Sequence, residues 1–318
     1  MWLARERDRA MRPPDLVCIG HLVREMIRFP DRVAGPFLGS PTAYCSVAAA
    51  RQDTRTGLVT VIGPDMPGAL LAPITDTGVD TRGLLVDQVT TASELVYDEQ
   101  GHKEIRYPHR ARPIEPADIP LAYQGCLVAY VCTMDNDVRL ADLAEIAAVG
   151  QMSAVDLGGY GGVHMSLDSR TAVGSLSRLA EDVAAQFDVV KASDEDIAAI
   201  YGDDNHEQAA KRLLGCGPAV VLITRGVRGV HVLTADQQWQ VPALPAHVVD
   251  TTGGGDTFMA GFLSEYLRGQ DPVRSTCWGC ATASYVIEST SGVRTDRMPV
   301  REQVLDRVIG GYRDFCRF

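Results

Sequence analysis

The sequence lacks a surplus of positive charge. Its 318 residues include 30 lysines and arginines against 41 aspartates and glutamates, which gives a formal net charge of −11. A protein that binds nucleic acid generally uses basic residues to displace the counterions of the phosphate backbone. We therefore expect no nucleic-acid partner, although a local pocket could still bind a small phosphorylated ligand.

Long apolar segments are also absent from the sequence. No segment approaches the roughly 18 to 20 consecutive apolar residues that a membrane-spanning helix needs. The first ten residues are charged and do not contain the apolar stretch of a secretory signal. We expect residues 1–14 to form a loose tail, and we expect a cytoplasmic protein without a membrane partner.

The cysteines and histidines show little sign of a metal cage. Of eight cysteines, only Cys277 and Cys280 have the spacing of a metal or redox pair, and no second pair accompanies them. Two buried cysteines one helical turn apart are the simpler interpretation. The seven histidines contain no HxH or HExxH pair. This cysteine usage favours a reduced compartment.

Short apolar segments alternate with helical patterns along most of the chain. The predicted strands are 15–20, 56–63, 83–86, 126–132, 152–156, 189–191, 219–224, 229–233 and a segment ending at Val249. The predicted helices are 40–51, 137–149, 169–186, 194–201, 206–214 and 257–269. This alternation predicts one α/β domain over residues 15–318, with a mainly parallel sheet covered on both faces. Ligands of such folds bind beyond the carboxyl ends of the strands.

Residues 91–107 have a different pattern. Polar side chains alternate there with apolar or aromatic ones, and residues 98–101 supply a turn. The pattern predicts a hairpin with one solvated face, which could form a flap or lid that stands off the main sheet.

The most informative segment is a glycine-rich turn before a predicted helix. Gly253, Gly254 and Gly255 have no side chains, so their N–H groups can approach an anion at the helix N-terminus. Asp256 follows directly, and a carboxylate beside a phosphate site is suited to act as general base for an attacking hydroxyl. The residues alone also allow a simpler interpretation, in which Asp256 is the N-cap of the helix.

Residues 250–262, Asp-Thr-Thr-Gly-Gly-Gly-Asp-Thr-Phe-Met-Ala-Gly-Phe, resemble the second signature of the ribokinase-like, or PfkB, carbohydrate kinases. The resemblance covers about residues 15–310. It implies a three-layer α/β ribokinase-like fold with a mainly parallel central sheet and a small β lid, built from segments near 22–38 and 88–110. It also implies ATP-dependent phosphorylation of a hydroxyl on a small sugar, cyclitol or polyol, with Asp256 as general base and Gly253 to Gly255 as anion hole.

The resemblance assigns residues to the nucleotide and to ions. Thr224, Gly226 and Gly229 match a TxGxxG loop that approaches ATP, and Ser193 takes the position of the asparagine in an NxxE segment. Asp196 takes the acidic position associated with Mg²⁺. Asp250 and Thr252 resemble part of a loop that holds a monovalent cation such as K⁺ in some relatives.

The acceptor side departs from the family pattern. Glu25 takes the place of an acceptor-binding aspartate, and Gly39 and Tyr44 fall in the altered first signature, with Tyr44 in place of an asparagine. The resemblance implies that all three contact the acceptor. The simpler interpretations are a surface Glu25 paired with Arg24 or Arg28, and a Tyr44 that only packs its helix.

Several alternatives stay open on the sequence alone. The segment Asp156-Leu-Gly-Gly, together with the start of the first helix, resembles the branch that contains myo-inositol kinases, but the glycine-rich stretch is equally typical of a flexible surface turn. The acceptor could instead be a nucleoside whose base stacks on Tyr44. A non-catalytic small-ligand-binding relative is a further alternative, and a homodimer through the lid is a further prediction.

Overall fold

The computed structural model describes residues 12–99, 103–202, 206–290 and 292–313. Within these ranges the strands are β1 Leu16–Ile19, β2 Val23–Arg28, β3 Val33–Gly39, β4 Thr56–Ile62, β5 Asp80–Val86, β6 Ala92–Tyr97, β7 Lys103–His109, β8 Cys126–Val131, β9 Gly150–Asp156, β10 Val189–Ser193, β11 Val220–Thr224, β12 Val230–Leu233 and β13 Gln238–Val241. The helices are α1 Pro41–Arg51, α2 Ala72–Asp76, α3 Leu143–Ala147, α4 Leu167–Ala172, α5 Leu176–Ala184, α6 Asp194–Tyr201, α7 His206–Leu214, α8 Gly254–Gly269, α9 Pro272–Val286 and α10 Arg301–Gly311.

A nine-stranded sheet forms the centre of the molecule. Its order is β13-β12-β11-β10-β9-β8-β1-β4-β5. The seven strands from β11 to β5 are parallel to their neighbours, whereas β12 and β13 pair antiparallel at one edge. The expected three-layer α/β fold with a mainly parallel sheet is confirmed. No helix of the described residues combines the length and apolar character needed to cross a membrane.

Both faces of the sheet are buried, which explains the nearly continuous apolar strands. In β1, Leu16 and Cys18 belong to one core cluster, while Val17 and Ile19 belong to the other. Successive side chains of a strand point to opposite faces, so a strand covered on both sides is apolar at every position. Helices α1, α8, α9 and α10 supply the first cluster, and α3, α5, α6 and α7 supply the second.

A second, four-stranded sheet has the order β3-β2-β6-β7, and we call it the small sheet. Strand β2 follows β1 after three residues, so it leaves the large sheet at the carboxyl ends of the parallel strands. Strands β6 and β7 pair antiparallel over the segment for which the sequence predicts a hairpin. Of its predicted turn, residues 100 and 101 lie outside the described residues. The small sheet therefore stands beside the edge where ligands of parallel sheets bind.

Three predicted elements differ from the structure. The predicted helix 137–149 shrinks to α3, and the predicted helix 169–186 divides into α4 and α5, where Ser175 caps the second helix. The predicted strand ending at Val249 does not form, because Val249 N–H donates to the carbonyl of Ile287 at the end of α9 instead of joining a sheet.

The cysteines of the described residues are free thiols. Cys277 and Cys280 lie one turn apart in α9, and both are buried. Cys316 lies outside the described residues. The simpler interpretation of the Cys277–Cys280 pair, two buried helical side chains, agrees with this position.

Candidate active site

A cavity of about 340 Å³ lies between the carboxyl ends of the parallel strands and the small sheet. The large sheet contributes Lys191 and Ser193 from β10 and Thr224 from β11, and the small sheet contributes Glu25. The start of α8 closes one side of the cavity with Asp256. The structure thus places residues from four separate segments of the sequence around one space.

The turn before α8 has a left-handed residue at its centre. Gly253 is the N-cap of the helix and has a φ of 81°, in the region that favours glycine. A Cβ at this position would overlap the ring of Tyr44. The glycine is therefore required both by its backbone angle and by the close approach of the aromatic ring.

The amides of this turn have different roles. Gly254 N–H donates to the carbonyl of Thr251 at 3.0 Å, so it is used within the turn. Among the described residues, no acceptor is found for the amides of Gly253, Gly255 and Asp256. These donors at a helix N-terminus are suited to an anion. The sequence predicts an anion site formed by the amides of Gly253, Gly254 and Gly255. In the structure the Gly254 amide is used within the turn, and the Asp256 amide is available to an anion in its place.

Asp256 lies in the first turn of α8, and its side chain is only 8 % exposed. Because Gly253 is the N-cap, Asp256 does not cap the helix, and none of the described residues donates a hydrogen bond to its carboxylate. Burial raises the pKa of Asp256 to about 6, and the charges of His164 and Lys191 oppose this rise. A buried carboxylate whose pKa lies near neutrality, facing a cavity, is suited to take up a proton.

Lys191 supplies a buried positive charge beside this carboxylate. Its Nζ donates to Oδ2 of Asp156 at 2.9 Å and lies 4.0 Å from Oδ2 of Asp196. Burial alone would lower the pKa of Lys191, but the two carboxylates raise it above its ordinary value. A Cβ at Gly255 would lie 3.2 Å from Nζ, so the ammonium reaches the first turn of α8.

Asp196 and Ser193 form a capping box at the start of α6. The Ser193 hydroxyl accepts from Asp196 N–H at 3.0 Å, and Oδ2 of Asp196 accepts from Ser193 N–H at 2.7 Å. Oδ1 of Asp196 accepts from Val163 N–H at 2.9 Å. With hydrogen bonds at both oxygens, Asp196 fits an outer contact to a hydrated Mg²⁺ better than direct ligation. Within the described ranges, no cluster of three or more His, Cys, Asp and Glu side chains could hold a metal ion.

Glu25 belongs to β2 of the small sheet and is buried, with 5 % of its surface exposed. The two arginines near it in sequence have other partners, because Arg24 lies 3.5 Å from Asp65 and Arg28 lies 2.6 Å from Glu94. A Cβ at Gly39 would lie 3.2 Å from the Glu25 side chain, so the absence of a side chain there makes room for the carboxylate.

Tyr44 is almost fully buried, at 2 % exposed, and its ring packs against Gly253. Its hydroxyl accepts a hydrogen bond from Nη1 of Arg297 at 3.3 Å. Arg297 is buried as well and also donates to the carbonyls of Gly292, Val286 and Ser289. This arrangement makes Tyr44 a support of the glycine turn and leaves little of its ring to stack on a ligand.

The small sheet covers the cavity with an apolar surface. Leu95, Tyr97 and Ile105 from β6 and β7 line it, together with Met134 from the large-sheet side. Burial raises the pKa of Tyr97, and the carboxylates of Asp250, Glu25 and Glu195 raise it further. The Tyr97 side chain therefore lies near acidic groups of the small sheet, of α6 and of the loop before α8. An occupant of this cavity therefore meets polar groups on one side and an apolar surface on the other.

A second cavity of about 280 Å³ adjoins the first, and the two share Thr224, Gly226, Thr251 and Gly255. Most of its other lining is apolar: Val227, Val230, Leu244, Val248, Phe258, Ala283 and Ile287. Gly229 has a φ of 81° and packs against β13, which explains the glycine at that position. An apolar cleft that opens toward the amides of α8 fits a flat base attached to phosphates.

The loop before α8 is ordered by Asp250, whose Oδ1 accepts from Thr252 N–H at 2.9 Å. Carboxylate, hydroxyl and carbonyl oxygens are the donor types that a hard monovalent cation prefers. The position of this loop directly before the glycine turn is compatible with a cation that stiffens it.

Sequence reasoning missed three polar residues of this site. Lys191, Asp156 and His164 line or support the cavity, yet none received a role from its motif. A lysine inside an otherwise apolar buried strand is itself a signal, because lysine is almost never fully buried unless paired. His164 ends the glycine-rich stretch, whose fold the sequence pattern did not reveal.

Comparison with a protein-family model gives a match over residues 14–297, and that model describes the pfkB family carbohydrate kinases. The match covers both cavities and the glycine turn.

Individual proteins are also similar to the chain. A cytidine kinase from Thermococcus kodakarensis is 29 % identical over 80 % of this chain and 90 % of its own length. Two solved structures share the fold. One is a pyrophosphate-dependent myo-inositol-1 kinase converted into a myo-inositol-3 kinase, with a TM-score of 0.76, 15 % identity and coverage of 93 % of this chain and 98 % of that one. The other is an Escherichia coli protein described as a ribokinase II in complex with ATP and Mg²⁺, with a TM-score of 0.74, 16 % identity and coverage of 93 % and 99 %.

Proposed function

Because the chain belongs to the pfkB family of carbohydrate kinases and is an ATP-dependent kinase, we propose that it phosphorylates a hydroxyl of a small sugar, cyclitol or polyol. The observation that carries this proposal is the position of Asp256. Its buried carboxylate faces the cavity beside the unpaired amides of the α8 N-terminus, where a hydroxyl and a phosphoryl group can meet.

Asp256 acts as the general base. Its carboxylate accepts the proton of the acceptor hydroxyl as the hydroxyl oxygen forms a bond to the γ-phosphorus. The bond between that phosphorus and the β–γ bridging oxygen breaks, and ADP leaves. A pKa of about 6 keeps Asp256 ionised at neutral pH while making it a stronger base than an ordinary aspartate.

The amides of Gly253, Gly255 and Asp256 bind the transferring phosphoryl group. They are preorganised by the turn, so no reorganisation is needed as charge develops on the equatorial oxygens. The ammonium of Lys191 adds a positive charge beside Gly255. Without these donors, the buried carboxylates of the site would repel a polyphosphate.

ATP occupies the second cavity, with its base against the apolar lining and its phosphates directed toward Gly255. Thr224, Gly226 and Gly229 shape this cavity. Asp196 and Ser193 would contact the hydration shell of a Mg²⁺ ion, which would supply positive charge to the phosphates. The loop of Asp250 and Thr252 would hold a monovalent cation such as K⁺. The small sheet covers the acceptor as a lid, and excluding water would limit hydrolysis of ATP.

A nucleoside acceptor is the second candidate. The specific observation that favours it is the apolar surface of Leu95, Tyr97 and Ile105, which suits a flat base better than a fully hydroxylated ring. The T. kodakarensis relative, whose name gives cytidine as its substrate, is consistent with this candidate. In both cases Glu25 accepts hydrogen bonds from hydroxyls of the acceptor.

The test is formation of ADP from ATP and Mg²⁺ with a panel of hexoses, pentoses, inositols and nucleosides, followed by identification of the phosphorylated product. Asp256→Asn should lower kcat by about 10² to 10⁴ with the best acceptor, while ATP still binds. Ser264→Ala, in the same helix but buried away from the cavity, is the matched control and should leave kcat unchanged. Absence of turnover with every acceptor would favour a non-catalytic binding protein, and full activity of Asp256→Asn would refute the base assignment.

A further inference from the structure

The glycine-rich stretch from Leu157 to Gly162 is buried along its whole length, so it is not a surface turn. It begins at the end of β9, where Oδ1 of Asp156 accepts from Gly158 N–H at 2.9 Å. Tyr160 anchors its middle, since the hydroxyl donates to the carbonyl of Val138 at 3.3 Å. A loop that is buried and anchored in this way has a defined shape.

Its glycines are required by close contacts. A Cβ at Gly159 would overlap Thr133, and a Cβ at Gly162 would overlap Oδ1 of Asp196. Gly161 has a φ of 96°, which other residues rarely adopt. The chain is therefore packed tightly between the segment after β8 and helix α6, which fixes the position of the two residues that follow the loop, Val163 and His164.

The second of these residues is His164, which lines the candidate active site. Its N–H donates to the carbonyl of Gly158 at 3.0 Å, and its own carbonyl accepts from the Tyr107 hydroxyl of the small sheet at 2.6 Å. Both sides of its backbone are thus held, one by the loop and the other by the sheet that covers the cavity.

The two ring nitrogens of His164 are in different surroundings. Nδ1 is buried without a hydrogen-bond partner, and a Cβ at Gly158 would lie 2.7 Å from it. A proton on Nδ1 would leave a buried donor unsatisfied, which is costly. The neutral ring is therefore better protonated on Nε2, which is the nitrogen left to the cavity.

We propose that the loop from Leu157 to Gly162 presents His164 as an acceptor-binding residue, whose Nε2–H donates a hydrogen bond to a second hydroxyl of the acceptor. The inference depends on the proposed kinase function and deepens it. Asp256 takes the proton of the reacting hydroxyl, and His164 holds another oxygen of the same molecule.

His164 and Glu25 differ in what they recognise. The carboxylate of Glu25 only accepts hydrogen bonds, whereas Nε2–H of His164 donates one. Hydroxyls can serve both groups, because each can donate and accept. The pair therefore favours an acceptor with further hydroxyls besides the reacting one, a class that includes sugars, cyclitols and the ribose of nucleosides.

His164 also acts on its neighbours whenever its ring carries a second proton. A positive charge on the ring opposes the effect of burial on the pKa of Asp256 and helps to lower the pKa of Asp196. A residue that acted only through this charge would change kcat and not the affinity for the acceptor. The two roles are therefore distinguishable by kinetics.

The experiment compares His164→Gln with His164→Asn, since the glutamine amide reaches the position of Nε2 and the asparagine amide reaches that of Nδ1. With the best acceptor of the wild-type panel, His164→Asn should raise the acceptor KM about tenfold, as expected for one lost hydrogen bond. His164→Gln should restore most of this loss, and the KM for ATP should stay unchanged in both variants.

Deoxy analogues of the acceptor identify the oxygen that is bound. The wild-type enzyme should lose affinity for one particular deoxy analogue, and His164→Asn should show no further loss with that analogue. Tyr107→Phe, which removes only the contact to the His164 carbonyl, controls for simple loosening of the loop and should leave this pattern intact.

Three results would overturn the inference. They are equal acceptor KM values for the wild type and His164→Asn, an equal loss in the Gln and Asn variants, or a loss in kcat alone. An inactive wild type would instead refute the proposed function, because it would give no acceptor to test.

Discussion

Asp256 and Asp196 are two buried aspartates of one site, and their effects on stability should have opposite pH dependence. Burial raises the pKa of Asp256 from its ordinary 3.8 to about 6. Asp196 is also buried, but Lys191, His164 and the N–H groups of Ser193 and Val163 outweigh this burial and lower its pKa. The two side chains can each be changed to asparagine with little change in shape.

The sign of each stability change depends on whether the folded protein or the unfolded chain binds the carboxyl proton more tightly. The folded protein binds a proton at Asp256 more tightly than the unfolded chain does, so this group destabilises the fold as the pH rises from about 4 to about 6. The difference between 3.8 and about 6, at about 1.36 kcal/mol for each pKa unit, corresponds to about 3 kcal/mol. Asp256→Asn removes this cost and should be more stable than the wild type above pH 6.

For Asp196 the sign is reversed. Its lowered pKa contributes stability above the unfolded pKa, and this stability disappears as the pH falls through the folded pKa. Asp196→Asn should therefore be less stable than the wild type at neutral pH, and the difference should shrink in acid. The same substitution at two neighbouring residues thus predicts changes of opposite sign.

The assay is thermal unfolding from pH 4 to pH 8, without nucleotide or Mg²⁺. At pH 8, the Tm of Asp256→Asn should exceed that of the wild type by about 5 °C, and the two values should converge near pH 4. Kinase activity should be lost in the same variant, as expected where a catalytic group is held at a cost in stability. A lower Tm of Asp256→Asn at pH 8, or a difference that does not depend on pH, would refute the reasoning.

Three further predictions concern the glycine turn and the acceptor side. Gly253→Ala should lower both stability and kcat, because the added Cβ would overlap Tyr44 and the backbone is left-handed at this position. The control is Gly269→Ala, where a Cβ meets nothing within 4 Å, and it should leave kcat unchanged. Equal kcat values for the two variants would contradict the role of the turn. Glu25→Gln should raise the acceptor KM about ten- to a hundredfold with little change in the KM for ATP. The control Glu94→Gln, on the outer face of the small sheet, should change neither KM value. An unchanged acceptor KM in Glu25→Gln would refute the proposal that Glu25 binds the acceptor. Tyr44→Ala should lower kcat more than it raises the acceptor KM, since the ring supports Gly253, and the reverse pattern would indicate direct stacking on the acceptor.

The sequence by itself determined the fold and the glycine turn of the candidate site. Apolar segments such as Leu16–Ile19 are apolar at every position, and only strands covered on both faces tolerate this, so the parallel sheet followed from local composition. The order Gly253-Gly254-Gly255-Asp256 before a helical pattern likewise predicted the turn. In both cases neighbours in sequence are neighbours in space, so the pattern contains the required information.

Only the tertiary structure decided the positions of Glu25, Lys191, Asp156 and His164 at the cavity. Glu25 looked equally compatible with a surface ion pair, and its burial depends on the pairing of β2 with β3 and with β6, a strand that lies more than 60 residues further along the chain. Lys191 and Asp156 meet because β9 and β10 are adjacent in the sheet. The glycine-rich stretch before His164 was ambiguous for the same physical reason. Whether glycines form a mobile turn or a packed loop depends on the chains that surround them, here Thr133 and Asp196, and no local pattern records those neighbours.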